Sequence, residues 1–301
     1  MDSTRSLRTR LRTRLAECAV TSPPTASPLR PSWLALIVVG AAGYALVLNA
    51  LVFAHRTFAW VTASTSGLVR PTLVANVLGL LVLFGAVRWR AELEPREVGI
   101  QWGSPRLVGS LLVGCWLAVQ GVGVLALWRQ GTLVAPGVDL DALLIATGKV
   151  LSQAAGVALF EEVVYRGLLF GSLARWFDTR LERSWLAFPG AIAVSAGVFA
   201  IVHVPRRLRL GTVTGSLEGD LLALFVVGVT FAVVYLRTGS LLLTVGVHAL
   251  YNRPVSPVLS PESARAVFAV VLAVLVVAWP LVDRLSATED VTANGRRRSP
   301  E

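Results

Sequence analysis

Charge is scarce in this chain. Only 15% of its 301 residues are Asp, Glu, Lys or Arg, 54% are hydrophobic, and the mean hydropathy is +0.67. A soluble surface carries about a quarter charged residues, so a soluble fold of this length is excluded. Cysteine is nearly absent: Cys18 lies in a polar stretch and Cys115 in an apolar run, which excludes a disulfide framework and a thiolate metal site. Histidine occurs only at His55, His203 and His248. Several catalytic signatures are missing too. There is no HExxH helix for zinc, and the nearest approach to a GxSxG elbow, AVSAG around Ser195, begins with alanine. Ser195 and His203 share one run but are separated by about 12 Å along a helix axis, too far to pair. Gly219 and Asp220 lack the preceding glycine and spacing of an intramembrane aspartyl site.

What the chain has is apolar runs of bilayer length. They fall at Trp33 to Ala54, Leu68 to Val87, Leu107 to Trp128, Leu140 to Phe170, Trp185 to His203, Leu221 to Leu236, Leu241 to Tyr251 and Ala264 to Leu281. A helix needs about 20 such residues to cross a hydrocarbon core. The expected fold is therefore all-α, a polytopic integral membrane protein with about eight transmembrane helices. The seventh run is short, so its helix should begin at Ser240 or earlier and stop before Pro254 and Pro257. The domain reading is a disordered basic tail over 1–30, a transmembrane domain over 31–285 with its core at about 140–252, and a polar tail over 286–301.

The net charge of +10 does not point to nucleic acid, because the basic residues sit at the ends of apolar runs. They read as topology signals, since cytoplasmic loops carry the excess of Arg and Lys. Arg5, Arg8, Arg10, Arg12, Arg14 and Arg30 put the N-terminus inside. Eight spans then put Arg88, Arg90, Arg96, Arg106, Arg175, Arg180, Arg183 and Arg296 to Arg298 on that same side. The expectation is the plasma (inner) membrane of a bacterium with both termini cytoplasmic, in contact with membrane lipid. One segment conflicts: Arg206, Arg207 and Arg209 follow the fifth run on the outer side. Among polar residues within runs, Asn49, Asn76, Gln120 and Gln153 fit interhelical hydrogen bonds, and Lys149 fits snorkelling to an interface.

The stretch Phe160 to Gly167, FEEVVYRG, breaks the apolar pattern. An ionisable group at mid-bilayer costs about 2.5 to 3.5 kcal/mol on insertion scales and ordinarily serves a function there. Glu162 and Arg166 are four apart in the favourable order for an ion pair. Glu161 points about 100° away around the helix and needs a partner from another helix. His203 closes one apolar helix and His248 nearly closes another, whereas His55 beside Arg56 reads as interfacial. His248 and Asn252 lie on one helix face. A carboxylate base, a histidine to share a water and a His/Asn pair to hold an oxyanion are the parts for amide hydrolysis. The same Glu161, His203 and His248 can equally be read as ligands for zinc or another divalent metal.

Three elements, EExxxR (Glu161, Glu162, Arg166), FxxxH (Phe199, His203) and HxxxN (His248, Asn252), follow one another on successive apolar runs. In that order they resemble the CAAX protease and bacteriocin-processing (CPBP, or Abi) family over about Leu140 to Asn252. The resemblance implies an intramembrane endopeptidase with its site in a conical membrane cavity. It implies that Glu161 and His203 activate a water, that His248 and Asn252 stabilise the oxyanion, and that Glu162, Arg166 and Phe199 support the site. It also implies a peptide or protein partner, prenylated in the CAAX branch of the family. Members have been described both as metalloproteases and as metal-independent glutamic proteases, so a metal stays an alternative. The competing readings are a non-catalytic immunity or scaffold protein and a transporter that uses Glu161 and the histidines as an ion site. The PRRLRLG after His203 and the arginine tail depart from the family pattern. With His203 at a helix end and Glu161 inside its run, the fifth helix is expected either to start nearer Pro189 or to continue past Pro205 with a kink.

Overall fold

A computed structural model describes residues 31–48, 50, 52, 55–91, 104–131, 140–181, 186–210, 213, 215–254, 256 and 259–296. The expected tail over 1–30, with Asn49, Arg96, Pro257, Arg183, Arg297 and Arg298, lies outside the described residues. Every regular element among the described residues is a helix. In chain order these are α1 (Pro31–Val47), α2 (Ala59–Ser64), α3 (Pro71–Ala91) and α4 (Pro105–Arg129). A continuous rod follows: α5 (Leu140–Leu151), a π-helical segment π1 (Ser152–Ala158), α6 (Leu159–Glu162), a second segment π2 (Val163–Phe170) and α7 (Gly171–Arg180). Then come α8 (Ala187–Ile201), α9 (Val204–Leu210), α10 (Leu217–Thr238), α11 (Leu241–Asn252) and α12 (Pro261–Arg296).

Among the described residues five stretches are long and apolar enough to cross a membrane: Pro105–Arg129, Leu143–Arg180, Ala187–Arg209, Leu217–Thr238 and Pro261–Trp279. Three apolar helices are shorter among the described residues, Pro31–Val47, Pro71–Ala86 and Leu241–Asn252, so each of the eight runs of the sequence carries a helix. Large apolar side chains point outward from the bundle, among them Val39, Val82 and Val277, at 67%, 72% and 78% exposure. Water would penalise that surface and lipid does not. The protein is an all-α polytopic integral membrane protein.

Helix ends follow the local sequence. Pro105 opens α4, where its missing N–H is not needed. The Ser216 hydroxyl accepts from the Gly219 N–H at the start of α10, which ends on Gly239 at φ 59°. Ser240 caps α11 by accepting from the Leu243 N–H at 3.1 Å, and the helix stops at Asn252, two residues before Pro254. The C-terminal helix continues to Arg296, beyond its apolar part, because polarity alone does not end a helix.

The rod that carries FEEVVYRG is the centre of the fold. All eight residues of π2 are buried. π1 packs against α3 and α11, π2 against α8, and α8 against α10. Widened turns release backbone carbonyls from the helical ladder. Buried Ser195 on α8 donates its hydroxyl to one of these, the Tyr165 carbonyl, at 2.9 Å. On α10, Gly228 lets α8 approach closely: a Cβ there would lie 3.1 Å from the Ala196 Cβ and 3.2 Å from the Ala196 Cα.

The fifth run begins at Ala187, breaks at Val202 and His203, and continues past Pro205 as α9. Pro205 has no N–H to offer the Ile201 carbonyl, so an uninterrupted helix is not available. Of the conflicting arginines, Arg207 lies 3.8 Å from buried Asp220 at the start of α10.

Candidate active site

His203 is oriented by the break in its helix. Its backbone N–H bonds the Ala200 carbonyl at 3.1 Å, one residue short of the α-helical partner. That leaves the Phe199 carbonyl to the imidazole, and Nδ1 lies 2.6 Å from it. A carbonyl only accepts, so Nδ1 carries the proton and Nε2 keeps a lone pair. Nε2 lies 3.8 Å from Glu161 Oε1, and both side chains are 17% exposed. Glu161 and His203 are therefore level, well inside the distance at which one water reaches both.

Glu162 faces the other way. Its Oε2 is 3.1 Å from Arg166 Nε, with the two side chains 0% and 1% exposed. The ion pair anticipated from the i, i+4 spacing is present. Glu162 has a second partner that the local spacing did not indicate: its Oε1 is 2.6 Å from His248 Nδ1. The carboxylate accepts from Nδ1–H, which leaves the His248 Nε2 lone pair to accept from the Asn252 amide at 2.8 Å. His248 Nε2 is also 3.6 Å from Glu161 Oε2. Glu161 thus stands between two imidazoles from two other helices, and each imidazole is fixed through its far nitrogen.

Aromatic rings close the back of the cluster. The Arg166 guanidinium lies 4.8 Å from the Phe199 ring and 5.4 Å from that of Phe231, and its Nη2 donates to the Gly228 carbonyl at 3.0 Å. Phe231 also stacks on His248 at 4.6 Å. Such contacts offset part of the cost of a buried cation. The structure brings together Glu161, Glu162, Arg166, Phe199, His203, His248 and Asn252, and leaves exposed His55 apart. Phe231 and Gly228 carry no motif signal; they are found only because α10 passes behind Arg166.

Two cavities adjoin the cluster. One, of about 260 Å³, is lined by Glu161 and His203 together with Tyr44, Asn76 and Gln153. Tyr44 donates to Asn76 Oδ1 at 3.2 Å, the interhelical bond expected of Asn76, and Asn76 donates within α3 to the Thr72 carbonyl at 2.7 Å. Thr72 and Ser152 join α3 to π1 through their hydroxyls. The second cavity, of about 520 Å³, is almost wholly apolar and lies between α1 and α3. Ala41, Tyr44, Leu48 and Phe160 line both.

Among the described residues no group of three His, Cys, Asp or Glu side chains is disposed as ligands. The chemical reason is visible at His248, whose Nε2 is taken by Asn252 and whose Nδ1 is taken by Glu162.

Fold and site together define a polytopic helical membrane protein with a carboxylate and two histidines converging below a polar cavity. Residues 143–253, which hold these three side chains and Glu162, Arg166, Phe199 and Asn252, match the family described as Rce1-like, type II CAAX prenyl endopeptidase. That agrees with the resemblance carried by the three motifs and supports a CAAX-type intramembrane peptidase in general. No curated protein and no solved structure matches the chain.

Proposed function

We propose that the protein hydrolyses a peptide bond near the carboxyl end of a prenylated peptide or protein, with water activated by Glu161 and His203. The observation that carries this reading is Glu161 Oε1 set 3.8 Å from a His203 Nε2 whose lone pair is exposed by the Phe199 bond. A water between them gives a proton to the carboxylate as its oxygen adds to the substrate carbonyl carbon. The oxyanion accepts from the Asn252 N–H that His248 does not use, since an amide has two. Glu161 returns the proton to the leaving nitrogen as the C–N bond breaks, giving an acid and an amine. His248 holds Asn252 in place, and Glu162 with Arg166 holds His248.

The prenyl chain is supported by the apolar cavity that shares a wall with the site. An isoprenoid fits a surface lined by aliphatic side chains between α1 and α3, with its cysteine delivered past Tyr44 and Phe160 toward Glu161. No metal step enters this mechanism. The test is purified protein in detergent with S-farnesyl and unmodified peptides, in wild type and in Glu161→Ala and His203→Ala. Wild type should cleave the farnesyl peptide, each variant should lose about 100-fold or more, and dialysis against chelator should leave the rate unchanged. Full activity in either variant removes the assigned base, while wild type that cleaves nothing favours a non-catalytic role. Chelator inactivation restored by zinc would place a metal between Glu161 and the histidines.

A further inference from the structure

The polar cavity is lined by four cations, Arg70, Lys149, Arg206 and Arg253, and by one carboxylate, Glu161. These cations come from separate places in the chain. Arg70 immediately precedes α3, Lys149 is near the end of α5, Arg206 is in α9, and Arg253 follows Asn252 at the end of α11. Arg166 and Arg207 have carboxylate partners at 3.1 and 3.8 Å. For Arg70, Lys149 and Arg253 no carboxylate lies within ion-pair distance among the described residues.

In the eight-span topology expected from the sequence, Arg70, Arg206 and Arg253 fall at helix ends on one face, the face where the positive-inside pattern does not expect them. Arg206 was part of the conflict visible in the sequence; the cavity shows that its neighbours in space share the anomaly. Cations gathered on one small cavity raise the local potential for an anion far more than scattered ones do. A second polar group points the same way. Gln153, also lining the cavity, has a buried Nε2 with no hydrogen-bond partner, a donor that awaits an acceptor.

We infer that Arg70, Lys149 and Arg253 hold the carboxy-terminal carboxylate of the peptide that Glu161 cleaves, so that the site measures its cut from the chain end. Gln153 donates to a carbonyl of the segment between. A cavity of about 260 Å³ suits a short extended segment, about 10 Å long for three residues, and not a folded partner. The anchored carboxylate also offsets the cluster of positive charge once the peptide is seated. This inference rests on the peptidase reading and adds to it the feature that selects the substrate's end.

The test compares an S-farnesyl Cys-Val-Ile-Ala peptide bearing a free carboxyl end with its carboxamide twin, in phosphatidylcholine bicelles. Wild type should favour the acid in kcat/KM by about tenfold or more, the scale of hydrogen bonds to a charged group. In Arg70→Gln/Arg253→Gln, and separately in Lys149→Gln, the acid-to-amide ratio should fall toward one. A wild-type ratio of one, or a ratio unchanged in both variants, overturns the inference. Binding of the same two fluorescent peptides to Glu161→Gln separates the two readings. Acid preference in binding, with no cleavage by wild type, keeps the carboxylate site and removes the peptidase. Cleavage without acid preference does the reverse. If wild type instead retains phosphatidylglycerol through purification, the variants lose it and the peptide ratio stays at one, the cations serve a lipid phosphate and the inference fails.

Discussion

Glu161 and Glu162 are neighbours in sequence, yet their surroundings give them opposite duties. Glu162 is fully buried between Arg166 and His248, with Oε1 bonded to His248 Nδ1 and Oε2 in the ion pair with Arg166. Glu161 is partly open, with its oxygens 3.8 and 3.6 Å from imidazole nitrogens and facing a cavity. Removing one member of a buried, hydrogen-bonded charge pair costs about 3 to 5 kcal/mol, because the remaining charge is left without compensation. Glu162→Ala should therefore lower the thermal unfolding midpoint markedly, whereas Glu161→Ala should leave it near that of wild type. Differential scanning fluorimetry in detergent reads both, and equal midpoints for the two variants would contradict the division of labour. The i, i+4 spacing made the Glu162–Arg166 pair legible from sequence. The His248 bond was not legible, because its partner lies 86 positions away.

At the scale of elements, the break after α8 is what turns the His203 ring. A helix that ran on would use the Phe199 carbonyl for the His203 N–H, and Nδ1 would lose its acceptor. Pro205 prevents that continuation. Pro205→Ala should therefore keep or raise the thermal midpoint while reducing kcat by about tenfold or more, since small misplacements of a catalytic group are costly. Steady-state kinetics with the farnesyl peptide checks it, and an unchanged kcat would remove the break from the mechanism. The two π segments on either side of Leu159–Glu162 belong to this scale too. Periodicity identified a helix over the run but gave no sign of its widened turns. They depend on neighbours such as Ser195, whose hydroxyl takes the Tyr165 carbonyl.

At the scale of the whole molecule, helix alternation fixes which ends share a face. In the eight-span topology expected from the sequence, Gln130 after α4 and Arg253 after α11 fall on one face, and Arg180 at the end of α7 on the other. Single cysteines at these exposed positions, in a background with Cys18 and Cys115 replaced, should react accordingly with a membrane-impermeant maleimide in oriented vesicles. Gln130→Cys and Arg253→Cys should label together and Arg180→Cys apart. Labelling of Gln130→Cys and Arg180→Cys from the same side would mean that Leu143–Arg180 does not cross.

The sequence by itself determined the solvent. An apolar chain with charge at the ends of its runs can only bury itself in lipid, and three charges in one run must then face inward. Spacing within a helix also paired Glu162 with Arg166, because residues four apart meet whatever surrounds them. The tertiary structure decided what spacing cannot reach: that Glu161 sits between His203 and His248, that His248 is held by Glu162, and that cations from four separate places line one cavity. Those are contacts between helices. Their geometry comes from packing, through the close approach at Gly228, joined to the break that Pro205 imposes; the break is local and legible in the sequence, and the packing is not.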